Sequence, residues 1–450
     1  MAPGAGLARC PRHPLLVALP VWQRETLTWF RDGEALLERR RGSFHRVFPL
    51  PEAEPPGHWP APEPAPAPLR TLLPLAQFSG RRAMLGPGIA WIEGRLRAGG
   101  RVLRLRRLLL TGEDALPLAQ ALAADLPLLP ADASLPELAL ALAEGRPPRP
   151  RRAGQPRLDP GMTAEAALPH AAGHLLDVML DEAGSCGPDA GPRGVHQCRV
   201  ALRRLRSLIK LFRPVDPGWA AWNAELGDLA RSLGAARDWD VFVAGMAAGT
   251  SDALGGDPRL RRLARAAEAE RRAAYAALDR ALAAPAFRAC VLRGTALAAS
   301  GPVGATALPG FAARLLGKRW KRLRHAARDI ESLDAAALHE LRLDAKRLRY
   351  AAEPFAALWP GKRARRFARR LAALQEALGL ANDAAVARGL AAELAGRGAG
   401  PFAIGAVTGF AAGRAEGSRL AAIAAWRELG RTHRFWPRQV READATAQST

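Results

Sequence analysis

Two eleven-residue segments hold the side chains best suited to chemistry on an anion: His196-Gln-Cys-Arg199-Val-Ala-Leu-Arg203-Arg204-Leu-Arg206 and His339-Glu-Leu-Arg342-Leu-Asp-Ala-Lys346-Arg347-Leu-Arg349. Each sets one histidine and four cations at the same spacing, 143 residues apart. Guanidinium and ammonium groups bind anionic oxygens through charge-assisted hydrogen bonds, and a histidine among them can carry or relay a proton. A second pair follows in the same order, 145 residues apart: Leu233-Gly-Ala-Ala-Arg-Asp238-Trp-Asp-Val and Leu378-Gly-Leu-Ala-Asn-Asp383-Ala-Ala-Val. Two different motifs repeated in one order at nearly one offset predict an internal duplication, each half a small helical bundle.

Only a helix gathers these side chains. At about 100° per residue, His196, Arg199, Arg203, Arg206 and Lys210 share one face, while Leu202, Leu205, Leu208, Ile209 and Phe212 lie opposite. The second copy repeats this with His339, Arg342, Lys346 and Arg349 against Leu341, Leu348 and Phe355, and sets Tyr350 beside its histidine. Arg204 stands apart from the shared face, and so does Arg347 by symmetry. Like charges one turn apart repel by a few tenths of a kcal/mol per pair, roughly, and residues 196–213 contain no carboxylate to relieve it. Two such faces converging would line one cationic cavity for an external anion. The competing reading is that acids on neighbouring helices neutralise them. Two further basic runs flank the second copy: Arg314 to Arg328, including Lys318, Arg319 and Arg322, and Lys362 to Arg370. They are expected to act as secondary contacts.

Composition agrees with an anionic partner. Among 450 residues, 66 Lys and Arg stand against 43 Asp and Glu, a net charge of +23. Heavy arginine use can reflect coding bias, yet all five lysines fall inside the basic helical segments. The four cysteines are spread along the chain with no C-x-x-C spacing, which argues against a zinc site or a disulfide framework and suits a reducing cytoplasm. The apolar residues 15–19, bracketed by prolines, are too short for a signal-peptide core, and no run approaches the roughly 20 apolar residues that cross a bilayer.

Residues 1–144 read as a small β-rich α+β domain, with strand signals at 26–30, 43–48, 88–93 and 101–110, a loop over 51–68 and a helical run at 116–126. A Pro/Arg linker follows over 145–161. Beyond it, helical periodicity takes over, with Thr163 as an N-cap and roughly ten helices through about residue 434. Residues 438–450 form a polar tail. The expected fold class is mainly α: two pseudo-symmetric antiparallel helical bundles over 162–437, with the smaller α+β domain in front.

On Val195-His-Gln-Cys-Arg-Val-Ala-Leu-Arg-Arg-Leu-Arg-Ser, Leu338-His-Glu-Leu-Arg-Leu-Asp-Ala-Lys-Arg-Leu-Arg-Tyr and Leu374-Gln-Glu-Ala-Leu-Gly with Asn382-Asp383, the region 162–437 resembles a CHAD domain, the histidine-marked α-helical family. The resemblance implies a basic central groove that binds inorganic polyphosphate and can target proteins to polyphosphate granules. Its groove contacts would be His196, Arg199, Arg203, Arg204 and Arg206 with His339, Arg342, Lys346, Arg347 and Arg349. Residues 22–144 faintly resemble a CYTH domain, the triphosphate-tunnel fold that often precedes it. They lack the opening Glu-x-Glu-x-Lys strand of that family and carry Arg104 and Arg106 where tunnel carboxylates would be expected, which implies an inactive copy.

The functional expectation is therefore non-catalytic polyphosphate binding in the cytoplasm, without a cofactor, a metal or a membrane. A phosphohydrolase acting on triphosphate or polyphosphate would use His196 or His339 as acceptor or acid/base, but the sequence sets no carboxylate to orient either ring. A nucleic-acid binder would feel the same field. Trp320 and Tyr350 are the only Trp or Tyr in the basic helices, which disfavours sequence-specific recognition.

Overall fold

The computed structural model describes residues 21–32, 35–47, 63–67, 72–112, 114–131, 133–146, 154–187, 191–214, 216–301 and 303–437. The apolar residues 15–19, most of the segment 51–68, residues 147–153 of the Pro/Arg linker and the tail from 438 lie outside them. The chain forms two compact units, one combining 1–153 with 172–181 and 281–300, the other holding 154–171, 182–280 and 301–450.

The first unit is built on one antiparallel sheet: β1 (Val21–Asp32), β2 (Ala35–Arg40), β3 (Ser43–Val47), β4 (Glu63–Ala65), β5 (Pro74–Gly86), β6 (Ile89–Ala98) and β7 (Arg101–Leu110), in the order β4-β3-β2-β1-β5-β6-β7. Part of the expected loop is thus a strand. Glu63–Ala65 pairs with β3, and its place at the sheet edge is where Pro64 can sit. The long central strand β5 escapes a reading by apolar alternation because it carries Gly80 opposite Gly94. A Cβ at Gly80 would lie 2.2 Å from the Glu93 carbonyl oxygen, so the two strands pass too closely for any side chain there.

Helix α2 (Leu135–Glu144) starts at Ser134 with a capping box, in which the Glu137 amide donates to Ser134 Oγ (3.2 Å) and the Ser134 amide to Glu137 Oε2 (2.6 Å). It closes one sheet face over Leu27, Trp29, Phe78, Ile92 and Leu96. Glu25 and Glu38, both buried, point to this same side, where Trp29 Nε1 donates to Glu38 (3.0 Å) and Arg40 lies 3.0 Å from Glu38 and 3.7 Å from Glu25. Leu103 and Leu105 also face that way, so Arg104 and Arg106 project from the opposite face.

Helix α1 (Ala115–Asp125) covers one end of that opposite face, over Ala83, Leu85 and Trp91. Its last carbonyls need partners. The buried Arg288 supplies them from α8 (Pro285–Ala299), donating to Ala123 O (2.7 Å) and Ala124 O (3.3 Å).

The second unit holds the duplicated helices. α3 (Ala164–Ala183), whose residues 172–181 belong to the first unit, starts at Thr163, whose side chain accepts from the Ala166 amide at 3.1 Å, and it is followed by α4 (Pro192–Phe212) and α5 (Pro217–Val241). A π turn (Phe242–Ala247) and α6 (Ala248–Ala253) continue α5, and α7 (Arg261–Ala283) comes next. The second copy is α9 (Leu308–Ala326), α10 (Ala335–Phe355) and α11 (Lys362–Ala395), followed by α12 (Pro401–Ala415) and α13 (Ser418–Gly430). With α8, that makes eleven α-helices among the described residues from 162 onward. None of them alone is long and apolar enough to cross a membrane.

The copies meet reciprocally. Thr163 and Ala307, the N-caps of α3 and α9, form an antiparallel bridge in which the Ala164 amide donates to Thr306 O (2.8 Å) and the Leu308 amide to Met162 O (3.2 Å). Phe212 and Phe355, equivalent by the 143-residue offset, lie 5.9 Å apart between ring centroids, and Phe311 packs against both. The cysteines are less dispersed than their spacing suggests. Cys186 and Cys198 are buried free thiols hydrogen-bonded to each other.

Candidate functional site

Helix α4 forms because its apolar residues recur at helical spacing: Val195, Cys198, Leu202, Leu205 and Ile209 are all buried, leaving the cations on the other side. Helix α10 does the same with Leu341, Ala345, Leu348 and Phe355. The two helices pack together, and at their contact the Arg203 guanidinium of α4 sits 5.2 Å from the centre of the Tyr350 ring of α10. The Lys346 ammonium lies 6.0 Å from the same ring. Tyr350 is thus a buried platform between two cations.

A cavity of about 350 Å³ opens beside this contact. His196, Arg199 and Arg203 enter it from α4, Arg237 and Asp238 from α5, Arg342 from α10, and Asn382 and Asp383 from α11. The π turn closes it with Phe242 and Met246, a local widening of the helix of the kind that often marks functional sites. The first copy of the Leu-Gly motif explains itself here, because a methyl group at Gly234 would lie 3.2 Å from Arg199 Nη1. The small residue lets Arg199 lie along α5.

A second cavity of about 540 Å³ gathers Lys210, Arg213, Arg314, Lys318, Arg319, Arg322 and Arg347, with Asp344. A third, of about 420 Å³, takes His339 and Arg342. The two histidines therefore line different cavities, and Arg342 with Asn382 borders both.

Charge pairing divides the candidates. Position 344 in the second copy is aspartate where the first has Ala201, and position 353 is glutamate where the first has Lys210. Buried Asp344 accepts from Arg322 Nε (2.9 Å) and Arg347 (2.7 Å). Glu353 accepts from Arg349 Nε (2.6 Å) and lies 3.7 Å from Arg204, which also donates to Gly154 O at 3.1 Å. Arg204, Arg322, Arg347 and Arg349 are thus neutralised by acids of the fold. Arg342 donates to Asn382 Oδ1 at 3.1 Å. In the run starting at Lys362, Arg370 pairs with Glu428 at 2.6 Å.

Among the described residues, no carboxylate lies within ion-pair distance of His196, Arg199, Arg203, Arg206, Lys210, His339, Lys346, Lys318 or Arg319. At the helix contact, Arg203 Nε, Arg206 Nε and Tyr350 Oη are buried without a hydrogen-bond partner. Burial, followed by the fields of Arg203, Arg342, Arg199 and Lys210, pushes the Lys346 ammonium down to about 8. Burial and the cations of Arg237, Arg203 and Arg199 hold the His196 imidazole below its ordinary value. Asp238 is pushed up by burial and by Asp383, against the pull of Arg199 and Arg237. Among the described residues, no three His, Cys, Asp or Glu side chains converge as metal ligands.

Sequence reasoning saw Asp238 and Asp383 as markers of the repeat and did not assign them to a site. The offset they share was the available signal. Arg237 and the π turn carried none, because they enter only through the packing of α5 against α4.

Comparison with known proteins adds three findings. The CHAD domain family matches residues 162–392. The crystal structure of the CHAD domain from the plant Ricinus communis is 31% identical, covering 63% of this chain and 98% of that one at a TM-score of 0.54. PptA from Streptomyces chartreusis is 19% identical, covering 59% of this chain and 99% of that one at a TM-score of 0.47. No curated protein sequence matches.

Proposed function

The chain belongs to the CHAD domain family, and from that premise we propose that it binds inorganic polyphosphate, without cleaving it, along the cations that α4 and α10 bring together. One observation carries this reading: around the Arg203, Tyr350 and Lys346 contact, cations are crowded and part-buried, and among the described residues no carboxylate lies within ion-pair distance of Arg199, Arg203 or Lys346. Holding like charges in a half-buried space is unfavourable unless something anionic completes it. A flexible chain carrying a charge on every unit would do so, and its oxygens would accept from Arg199, Arg203, Arg206, Lys210 and Lys346, with Lys318 and Arg319 extending the track. The same reading makes the protein cytoplasmic and associated with polyphosphate granules.

The test is salt-titrated binding of long-chain polyphosphate to the full chain, wild type against Arg203→Ala with Lys346→Ala. Removing two contacts should weaken binding by roughly tenfold or more at low salt and flatten the log–log salt slope by about 1.4, at about 0.7 per contact for a single strand. Unchanged affinity and slope would remove the groove from consideration. Orthophosphate release from polyphosphate, abolished by His196→Ala, would replace the binding module with an enzyme. Displacement of polyphosphate by nucleic acid at equal phosphate concentration would change the ligand.

A further inference from the structure

The sheet of the first unit has two faces, and its helices cover them unequally. Helix α2 fills the face of Leu27, Phe78 and Leu96, whereas α1 covers just one end of the other, over Ala83, Leu85 and Trp91. Beyond α1 the strand register sets out two rows of side chains. The first runs Arg24, Arg81, Glu93, Arg106 across β1, β5, β6 and β7, and the second runs Thr26, Ser79, Arg95, Arg104. Gln77 and Arg97 begin a third row beside them.

Neighbours across strands are about 5 Å apart and side chains two residues along a strand about 6.7 Å apart, so these arginines form a grid. Glu93 is the one acid within it, and it is fully engaged: Arg81 Nε donates at 2.7 Å, Trp91 Nε1 at 3.2 Å, and Arg106 lies 3.6 Å away. Arg24, Arg95, Arg97 and Arg104 are exposed, and among the described residues none has a carboxylate in reach. Arg95 and Arg104 stand directly opposite each other on adjacent strands, a like-charge pairing that works against the sheet. A surface shaped by folding alone would set an acid in one of those positions.

We propose that this open face of the N-terminal sheet is a second polyanion site, taking an extended inorganic phosphate chain across β5, β6 and β7. The proposal rests on the reading of the protein as a polyphosphate binder but shares no residue with the helical cavity. The cations of the grid are all arginine, whose planar fork matches phosphate oxygens two at a time, and Thr26, Ser79 and Gln77 interleave neutral donors. Base stacking has no platform here. Trp91 is buried under α1, Arg81 covers the Trp22 ring at 4.0 Å, and Arg39 lies over Phe30 at 5.5 Å. A bare phosphate chain fits better than a nucleic acid, which binds such faces by stacking its bases.

The experiment uses the full chain in five forms: wild type, Arg95→Gln with Arg104→Gln, the cavity pair Arg203→Ala with Lys346→Ala, these four changes together, and Arg95→Lys with Arg104→Lys. The probe is long-chain inorganic polyphosphate at low salt, and a single-stranded oligonucleotide and phosphatidylserine vesicles serve as comparison anions. The sheet pair should weaken polyphosphate binding by roughly tenfold and flatten its salt slope by about 1.4, with the melting temperature unchanged or raised because the opposed charges are gone. The cavity pair should leave a residual that only the fourfold variant removes. Arg95→Lys with Arg104→Lys should restore most of the affinity, which a fold defect would not allow.

If the sheet pair binds like wild type while the cavity pair loses everything, this proposal fails and the cavity stands. If the cavity pair binds like wild type and the sheet pair does not, the cavity reading fails and the sheet stands. Sheet-dependent binding of oligonucleotide or vesicles in preference to polyphosphate would overturn the assignment of the ligand.

Discussion

At the scale of single residues, Lys346 shows how a binding site becomes legible through discomfort. Its ammonium is pushed down to about 8 from an ordinary 10.5 by burial and four neighbouring cations. Because the folded value lies below the unfolded one, the charged form burdens the fold in full below about pH 8, and stability rises as the pH climbs from about 8 towards 10.5. Lys346→Gln should therefore raise the melting temperature at pH 7 and abolish the rise between pH 8 and 10. A variant with an unchanged melting profile would show that the charge is not strained. Bound polyanion reverses the preference by favouring the ammonium. Binding at pH 8.5 should then take up protons, measurable as a buffer-dependent heat, and affinity should decline above about pH 8. His196, held low by burial and by Arg237, Arg203 and Arg199, adds a second rise in affinity as the pH falls below its ordinary range.

At the scale of elements, the acids that distinguish the second copy decide which cations serve structure. Asp344 ties α9 to α10 through Arg322 while also holding Arg347, and Glu353 ties α10 to α4 through Arg204. Asp344→Asn should destabilise the protein by about 1–3 kcal/mol, the usual effect of weakening charge-assisted hydrogen bonds. It should also strengthen polyphosphate binding several-fold, because two arginines are released. Denaturant unfolding and the same binding titration check both, and weaker binding would show that the pairs do not compete with ligand.

Much of this was visible in the sequence. The face of α4, the repeat and the N-cap at Thr163 follow from local periodicity and spacing. The acid pairing was not visible, because it depends on the register of α9 against α10. Nor were β2 and β5 or the buried Glu25 and Glu38. Their strands lack clean alternation, and Gly80 and Gly94 answer to each other across the sheet, not to their sequence neighbours. The competing reading, neutralisation by neighbouring acids, holds for four of the fourteen candidate residues and sets no described carboxylate within ion-pair distance of Arg203 or Lys346.

At the scale of the whole molecule, compact units and sequence segments do not coincide. Helix α8 clusters with the N-terminal sheet and caps α1 through Arg288, so a cut in the Pro/Arg linker would separate partners that fold together. A fragment spanning 154–437 should melt roughly 5 °C or more below the full chain and bind a hydrophobic dye, because it loses α1 and the acceptors of a buried arginine. An identical melting temperature without dye binding would show that α8 stands alone. The bridge between Thr163 and Ala307 has a different import. Its exchange, in which each half gives the other the bond that it receives, is the signature of an isologous contact between identical subunits. Within one chain, then, the two halves meet as the subunits of a symmetric pair do, while Asp344 and Glu353, which have no counterpart at Ala201 and Lys210, make the charge around that contact one-sided.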